Sequence, residues 1–262
     1  MKYSFIGCGN MGGAVARALS KVTTDFLVTD RSGRAQKLAA ELGCSYGSNE
    51  DAARCDRVFL CVKPYLMEEV LKPLQPIFAE HKPVLISMAG GLTVSQIEEY
   101  AGGKYPVIRI LPNTPVAVGH GLTQYCHNEL VSEELMQDVL DDLRFGGRYD
   151  GMSEKEMSAC GTLSGAGPAY AYMFMEALAD GAVACGVPRV QALEYAALMV
   201  IGAGHMVLES GLHPGALKDG VCSPRGSTIQ GVRVLEEQGM RGAVINCIIA
   251  ANEAGKKLGQ KQ

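Results

Sequence analysis

The residues best placed to do chemistry come early, in Gly7-Cys8-Gly9-Asn10-Met11-Gly12. The pattern G-x-G-x-x-G follows an apolar run, Tyr3–Ile6, and opens a stretch of helical spacing, Gly12–Ser20. In that setting the first glycine makes a tight turn. The second lets backbone approach a pyrophosphate, and the third lets the helix pack on the strand. A helix N-terminus adds free N–H groups and a positive dipole end for phosphate. The strand-turn-helix context, more than the glycines alone, points to a dinucleotide site lined by Ile6, Gly7, Cys8, Gly9, Asn10, Met11 and Gly12.

The next strand ends at Thr29-Asp30-Arg31-Ser32-Gly33-Arg34. An acidic residue there suits the ribose 2′-hydroxyl of NAD, whereas arginine suits the 2′-phosphate of NADP. Both are present. Arg31, Ser32 and Arg34 together outweigh one carboxylate, so NADPH is the expected cofactor and NADH the alternative. Two more loops leave strand ends on the same edge of the sheet, Val62-Lys63-Pro64 and Ala89-Gly90-Gly91. The first could bring Lys63 and backbone to the nicotinamide ribose, and the second allows close backbone approach. Pro64 as a helix start and the glycine pair as a plain turn are the simpler readings.

Further along, Pro112-Asn113-Thr114-Pro115 is a stiff turn that either presents Asn113 and Thr114 to a ligand or holds a crossover. Ser223-Pro224-Arg225-Gly226-Ser227-Thr228 precedes a helix. Its backbone N–H groups and hydroxyls suit a carboxylate, though Ser227 or Thr228 could equally serve as a simple N-cap. Ser164-Gly165-Ala166-Gly167-Pro168 reads as a hinge or close-packing turn before a helix. His120, His127, His205 and His213 have no clustered Asp or Cys partner, so no metal or catalytic role is expected of them.

These residues must be positioned by alternating elements. Candidate strands are Tyr3–Ile6, Phe26–Thr29, Arg57–Val62, Val84–Met88 and Val107–Leu111, with helices such as Arg34–Leu42 between them. Continuously apolar strands separated by helices imply a parallel sheet covered on both faces. The section Gly121–Cys126 and a helix from about Glu133 to Arg144 follow. After Gly151 only Ala-, Leu- and Met-rich helical segments remain: Glu154–Leu163, Pro168–Cys185, Arg189–Ser210, His213–Gly220, Thr228–Gln238 and Arg241–Leu258. Pro168 and Pro188 suit first-turn positions, and Gly186 and Gly211 suit helix ends. The expected architecture is a doubly wound, mainly parallel α/β Rossmann domain over residues 1–151. An all-α domain over 152–262 follows, apolar enough to bury its helices against a second subunit.

Composition narrows the function classes. A net charge of -4 with no long basic run argues against nucleic acid. The nine cysteines form no C-x-x-C pair. Most sit in apolar stretches, as small buried hydrophobes of a reducing compartment would. No uninterrupted apolar run approaches the roughly 18 residues of a membrane span. A cytoplasmic protein is expected, with no membrane, nucleic-acid or metal partner.

On these residues the chain resembles the pyrroline-5-carboxylate reductases, nearly end to end. The resemblance rests on Gly7-x-Gly9-Asn10-Met11-Gly12, Val62-Lys63-Pro64, Pro112-Asn113-Thr114-Pro115 and Ser164-Gly165-Ala166-Gly167-Pro168-Ala169-Tyr170. Its most specific stretch is His213-Pro214-Gly215-Ala216-Leu217-Lys218-Asp219, continuing through Val221-x-Ser223-Pro224 to Gly226-x-Thr228. The resemblance implies reduction of L-1-pyrroline-5-carboxylate to L-proline by hydride transfer from NAD(P)H. It implies that Thr228 hydrogen-bonds the ring nitrogen and that backbone at Gly226, Ser227 and Thr228 holds the carboxylate. Ser223, Glu154 and Gly220 would border the substrate or nicotinamide, and Ser32 and Ser48 would contact the adenosine end. It further implies a homodimer and, beyond that, a ring of dimers. Three residues depart from the usual pattern: Ala166 replaces a serine, Arg225 a glycine and Gly220 an asparagine. Two rival readings are a β-hydroxyacid-type NADP-dependent dehydrogenase, which needs a catalytic lysine in the helical half, and a non-catalytic nicotinamide-nucleotide sensor.

Overall fold

The computed structural model describes residues 1–258. The chain packs as two compact units, one formed by Met1–Pro168 with the stretch from Ala251 onward, the other by Ala169–Ala250. The first unit runs β1 (Tyr3–Ile6), α1 (Asn10–Leu19), β2 (Phe26–Thr29), α2 (Arg34–Leu42), β3 (Ser45–Tyr46), α3 (Asn49–Ala53), β4 (Arg57–Leu60), α4 (Met67–Leu71) and α5 (Gln75–His81). It continues through β5 (Val84–Ser87), α6 (Val94–Ala101), β6 (Val107–Leu111), β7 (Gly121–His127), α7 (Glu133–Leu143) and β8 (Gly147–Gly151). The strands form one sheet in the order β3-β2-β1-β4-β5-β6-β7-β8. Pairing is parallel as far as β6, antiparallel between β6 and β7, and parallel again between β7 and β8.

Alternation along the strands builds two cores. Phe5, Phe26, Phe59 and Ile108 face one layer, with α1, α2 and α7; Ile6, Leu27, Leu60 and Leu85 face the other. Phe5 stacks on Phe59 with ring centroids 4.4 Å apart and meets Phe26 edge-on at 5.6 Å. Strands buried on both faces need no polar side, hence their unbroken apolar composition. Helix starts are set locally. Ser48 and Thr93 form capping boxes with Asp51 and Gln96, and Ser132 accepts from the Leu135 N–H.

At the sheet's amino edge a charged network ties β1 and β4 to α7. The Tyr3 hydroxyl donates to Asp142 (2.7 Å) and accepts from Arg57 (2.5 Å). Arg57 also donates to Asp138, and Lys2 to Asp142 at 2.6 Å. At the opposite edge, the register Ile6↔Thr29, Ile6↔Leu60 and Leu60↔Ser87 brings the loops after β1, β2, β4 and β5 out side by side.

Three expectations are corrected. First, Pro168 does not begin a helix, and Ser164–Pro168 is not a turn: α8 (Glu154–Ala184) passes through it unbroken. A mid-helix proline leaves the carbonyl four residues earlier without its N–H. Here that carbonyl, of Ser164, accepts from the Asn113 side-chain amide at 3.0 Å, which satisfies the orphan. Second, only Cys8, Cys55 and Cys126 are buried, whereas Cys160 and Cys185 are exposed. Third, β3 and β8 go beyond the expected strands. They are a two-residue edge strand and a polar, half-exposed one, neither with a strong apolar signature.

The second unit continues α8 and adds α9 (Arg189–Ser210), α10 (Pro214–Gly220), α11 (Ser227–Glu237) and the start of α12 (Met240–Leu258). Its core consists of Ala179, Ala192 and Ala196, with a few half-buried neighbours. Pro188 is the N-cap of α9, and Gly211 ends that helix in the left-handed region. α9 is long and apolar enough to cross a membrane by length and composition.

Candidate functional site

The turn after β1 shows why each of its glycines is needed. Gly7 has φ +102°, and a Cβ there would meet the Cys61 backbone at 2.9 Å. A Cβ on Gly12 would lie 2.2 Å from the Gly7 carbonyl oxygen. Gly9 differs: nothing lies within 4 Å of its Cβ position, and its backbone forms the N-cap of α1 with no side chain capping it. The bare N-terminus of a ten-residue helix therefore faces open space, as an arriving phosphate requires. Burial pushes the Cys8 thiol up to about 12, so it is not a thiolate near neutrality.

Beside this turn a cleft of about 260 Å³ opens between α1 and α2. Arg17, Arg34, Lys37 and Glu41 border it, together with Gly9 and Asn10. Arg17 is held in a two-pronged pair with Glu41, at 2.7 Å for each contact. Arg34 and Lys37 form no ion pair among the described residues. The glycine motif reveals neither Arg17 nor Lys37; Lys37 is signalled by its spacing from Arg34 and Glu41 along one face of α2, whereas nothing in residue order links Arg17 of α1 to them.

The loop after β2 has its own arrangements. Asp30 accepts from both the Ser32 N–H (2.9 Å) and the Ser32 hydroxyl, which turns its carboxylate back on the loop. Arg31 reaches Glu69 of α4 at 2.7 Å, with both side chains exposed. Ser48 is engaged as the N-cap of α3. Lys63 is exposed and precedes a short 3-10 turn at Pro64–Leu66, so that loop is a helical start. Val62 is half-buried, whereas Ala89 is buried at the end of β5.

Two polar residues assigned to the site act as internal ties. Asn113 accepts from the Leu122 N–H at 3.0 Å and donates to the Ser164 carbonyl, while the Ser164 hydroxyl donates to Gln124 at 2.7 Å. Glu154 accepts from the Val94 N–H at 2.8 Å and from Arg109 at 2.7 Å. It thereby couples β6 to the start of α6, and so to the loop that follows β5. Arg109 was readable as a lone charge in an apolar strand. Its partner, 45 residues later, was not.

In the second unit, Ser223, Ser227 and Thr228 are exposed. The Gly226 N–H closes a turn onto the Ser223 carbonyl at 3.0 Å. Gly226 is the N-cap of α11, so neither Ser227 nor Thr228 is used as one, and their N–H groups have no partner among the described residues. Arg225 has φ +59°, the left-handed conformation that favours glycine. Gly220 closes α10. No group of three or more His, Cys, Asp or Glu suited to a metal occurs among the described residues.

Comparison with known proteins is consistent across three kinds of relative. A family model for pyrroline-5-carboxylate reductase dimerisation matches residues 154–258, and one described as NADP oxidoreductase, coenzyme F420-dependent, matches residues 2–91. The pyrroline-5-carboxylate reductase of Escherichia coli is 40% identical over 98% of this chain and 98% of its own length; that of Pisum sativum is 38% identical over 97% and 94%. Among solved structures, the Plasmodium falciparum pyrroline carboxylate reductase with NADP bound superposes with a TM-score of 0.88 at 31% identity, covering 99% of this chain and 98% of that one. The Streptococcus pyogenes 1-pyrroline-5-carboxylate reductase gives 0.89 at 33% identity, covering 98% of both chains.

Proposed function

The chain belongs to the pyrroline-5-carboxylate reductase family, and we infer that it reduces L-1-pyrroline-5-carboxylate to L-proline with NADPH, NADH being the secondary donor. One observation carries the reading. A single chain holds both an open glycine turn ahead of α1 and a helix start, at Gly226–Thr228, whose N–H groups have no partner.

The residues present fit a nicotinamide dinucleotide. Gly9 leaves room where the pyrophosphate passes, the N-terminus of α1 supplies donors, and the neighbouring cleft is cationic. When bound, that group supplies the hydride. The remaining work is positioning, because a protonated imine is already a strong electrophile. The N–H groups of Ser227 and Thr228, with the turn at Ser223 and Gly226, hold the substrate carboxylate and thereby fix which ring face is presented. The Thr228 hydroxyl keeps the ring nitrogen hydrogen-bonded as it becomes an amine. Glu154 and Arg109 set the loop after β5, and Ile6 through Gly12 with Val62, Lys63, Pro64 and Ala89 line the dinucleotide. Nothing in this scheme calls for a proton donor of tuned pKa.

Residues 1–151 act as the dinucleotide domain and 152–262 as the substrate and dimerisation domain of a cytoplasmic homodimer, with a ring of dimers as its larger form. The exposed apolar face of α9 meets the second copy. A hydroxyacid dehydrogenase would need a lysine free to act in the helical half. Lys155, Lys218, Lys256 and Lys257 are the candidates there and none stands in a matching sequence context; Lys218 is also paired with Asp219 at 2.5 Å.

The decisive assay follows NADPH oxidation with racemic pyrroline-5-carboxylate and, separately, with 3-hydroxy acids plus NADP. Turnover with the imine alone is expected. Thr228→Ala should lower kcat by roughly ten- to a hundredfold and leave the NADPH dissociation constant unchanged, with Thr228→Ser restoring much of the rate. Unchanged kcat in Thr228→Ala would remove that role.

A further inference from the structure

Resting on the reading of this chain as an NADPH-dependent reductase, we propose that its preference for a 2′-phosphate is set in the cleft between α1 and α2, by Arg34 and Lys37, and not by Arg31 at the end of β2.

Charge balance separates the two places. Around Arg31 one guanidinium stands between two carboxylates, its chain neighbour Asp30 and its ion-pair partner Glu69. A phosphate dianion arriving there meets a surplus of negative charge. An exposed pair such as Arg31–Glu69 holds only weakly, but displacing it leaves Glu69 facing the same anion. In the cleft the balance is reversed: three cations line it against the carboxylate of Glu41, and the Asp30 charge, which also reaches Cys8 of the lining, still leaves a positive surplus. Glu41 is already occupied, because both of its oxygens accept from Arg17. Arg34 and Lys37 therefore keep their full charge for a ligand.

Geometry favours the same place. Residues 34, 37 and 41 recur at the spacing that puts side chains on one face of a helix, and here that face borders the cleft. The cleft also takes in Gly9 and Asn10, the N-terminal end of α1, so a dinucleotide seated on the glycine turn passes its mouth. The two-pronged Arg17–Glu41 pair joins α1 to α2 across the cleft. Arg34 can offer two parallel N–H donors to phosphate oxygens, and Lys37 a point charge one helical turn further on.

The test measures binding, on the full-length protein, of NADPH, NADH, 2′,5′-ADP and 5′-AMP by calorimetry and nucleotide fluorescence. Lys37→Ala and Arg34→Ala should each weaken 2′,5′-ADP and NADPH about tenfold, and leave 5′-AMP and NADH within about twofold. Both variants should also flatten the salt dependence of 2′,5′-ADP binding, because fewer charges face the phosphate. Arg31→Ala should change the ratio of 2′,5′-ADP to 5′-AMP affinity by less than about threefold. The proposal fails if Arg31→Ala abolishes that ratio, or if Lys37→Ala and Arg34→Ala weaken NADH as much as NADPH. It fails alone, and the reductase reading stands, if the unaltered protein binds NADH and reduces the imine but takes 2′,5′-ADP no more tightly than 5′-AMP. If neither dinucleotide binds the unaltered protein, both readings fall.

Discussion

The sheet-bearing unit and the helical unit handle apolar surface in opposite ways. In the first, Phe5, Phe26, Phe59, Leu60 and Leu85 are shielded completely by helices of the same chain. In the second, the buried core is three alanines, while Val190 is 81% exposed, Ile201 54% and Leu208 77%. At about 100° per residue these three share a face of α9 opposite Ala192 and Ala196. A helix apolar on both sides is stable in water only when each side is covered. The first unit is thus complete as one chain, whereas the second has the surface of a structure that finishes folding by association. The same division separates their candidate ligand sites, an open glycine turn in one and a helix start with unpartnered N–H groups among the described residues in the other.

The largest expected effect tests the self-sufficient side. Gly12→Ala places a methyl group 2.2 Å from the Gly7 carbonyl oxygen, which neither backbone segment can yield cheaply. Roughly 3 kcal/mol of stability should be lost, and NADPH binding with it, as thermal unfolding and fluorescence titration would show. A variant that keeps both would mean the turn is looser than its geometry.

Next comes the associating side. Ile201→Glu puts a charge in the middle of the exposed face of α9 and should weaken self-association by roughly 2–3 kcal/mol. Sedimentation should show a shift towards monomer, with NADPH binding retained by the sheet-bearing unit. An unchanged oligomer would place the contact elsewhere.

The smallest effect sharpens the comparison within the first unit. Hydrogen bonding from Arg57 holds the Asp138 carboxyl below its ordinary value of 3.8. A depressed folded pKa contributes stability that is present above the unfolded value and lost as pH falls through the folded one. Melting temperature should therefore fall with acidification below about pH 4, and less steeply in Asp138→Asn. Identical slopes would show that the partly exposed pair contributes nothing.

Much of this was legible in residue order because its causes are local. The glycine turn, the apolar strands β1, β2 and β6, and the serine cap of α7 each depend on a few consecutive residues with restricted backbone or side-chain options. Arg57 and Arg109 are charges set within apolar strands, and nothing in residue order points to their partners. Asp138 and Glu154 lie 81 and 45 residues away.

What the sequence determined by itself was where backbone must turn tightly and where it must be buried, since φ above zero and close approach are demands that glycine meets at the least cost. Only the tertiary structure decided that Pro168 would sit inside a helix. The Asn113 amide, 51 residues before Ser164 in the chain, supplies to the Ser164 carbonyl the donor that proline lacks. It likewise decided that Asp30 and Arg31 would be engaged by Ser32 and Glu69 while Arg34 and Lys37 form no ion pair among the described residues. Charge pairing depends on which surfaces the sheet register brings within a few ångströms, a distance set by the packing of whole elements.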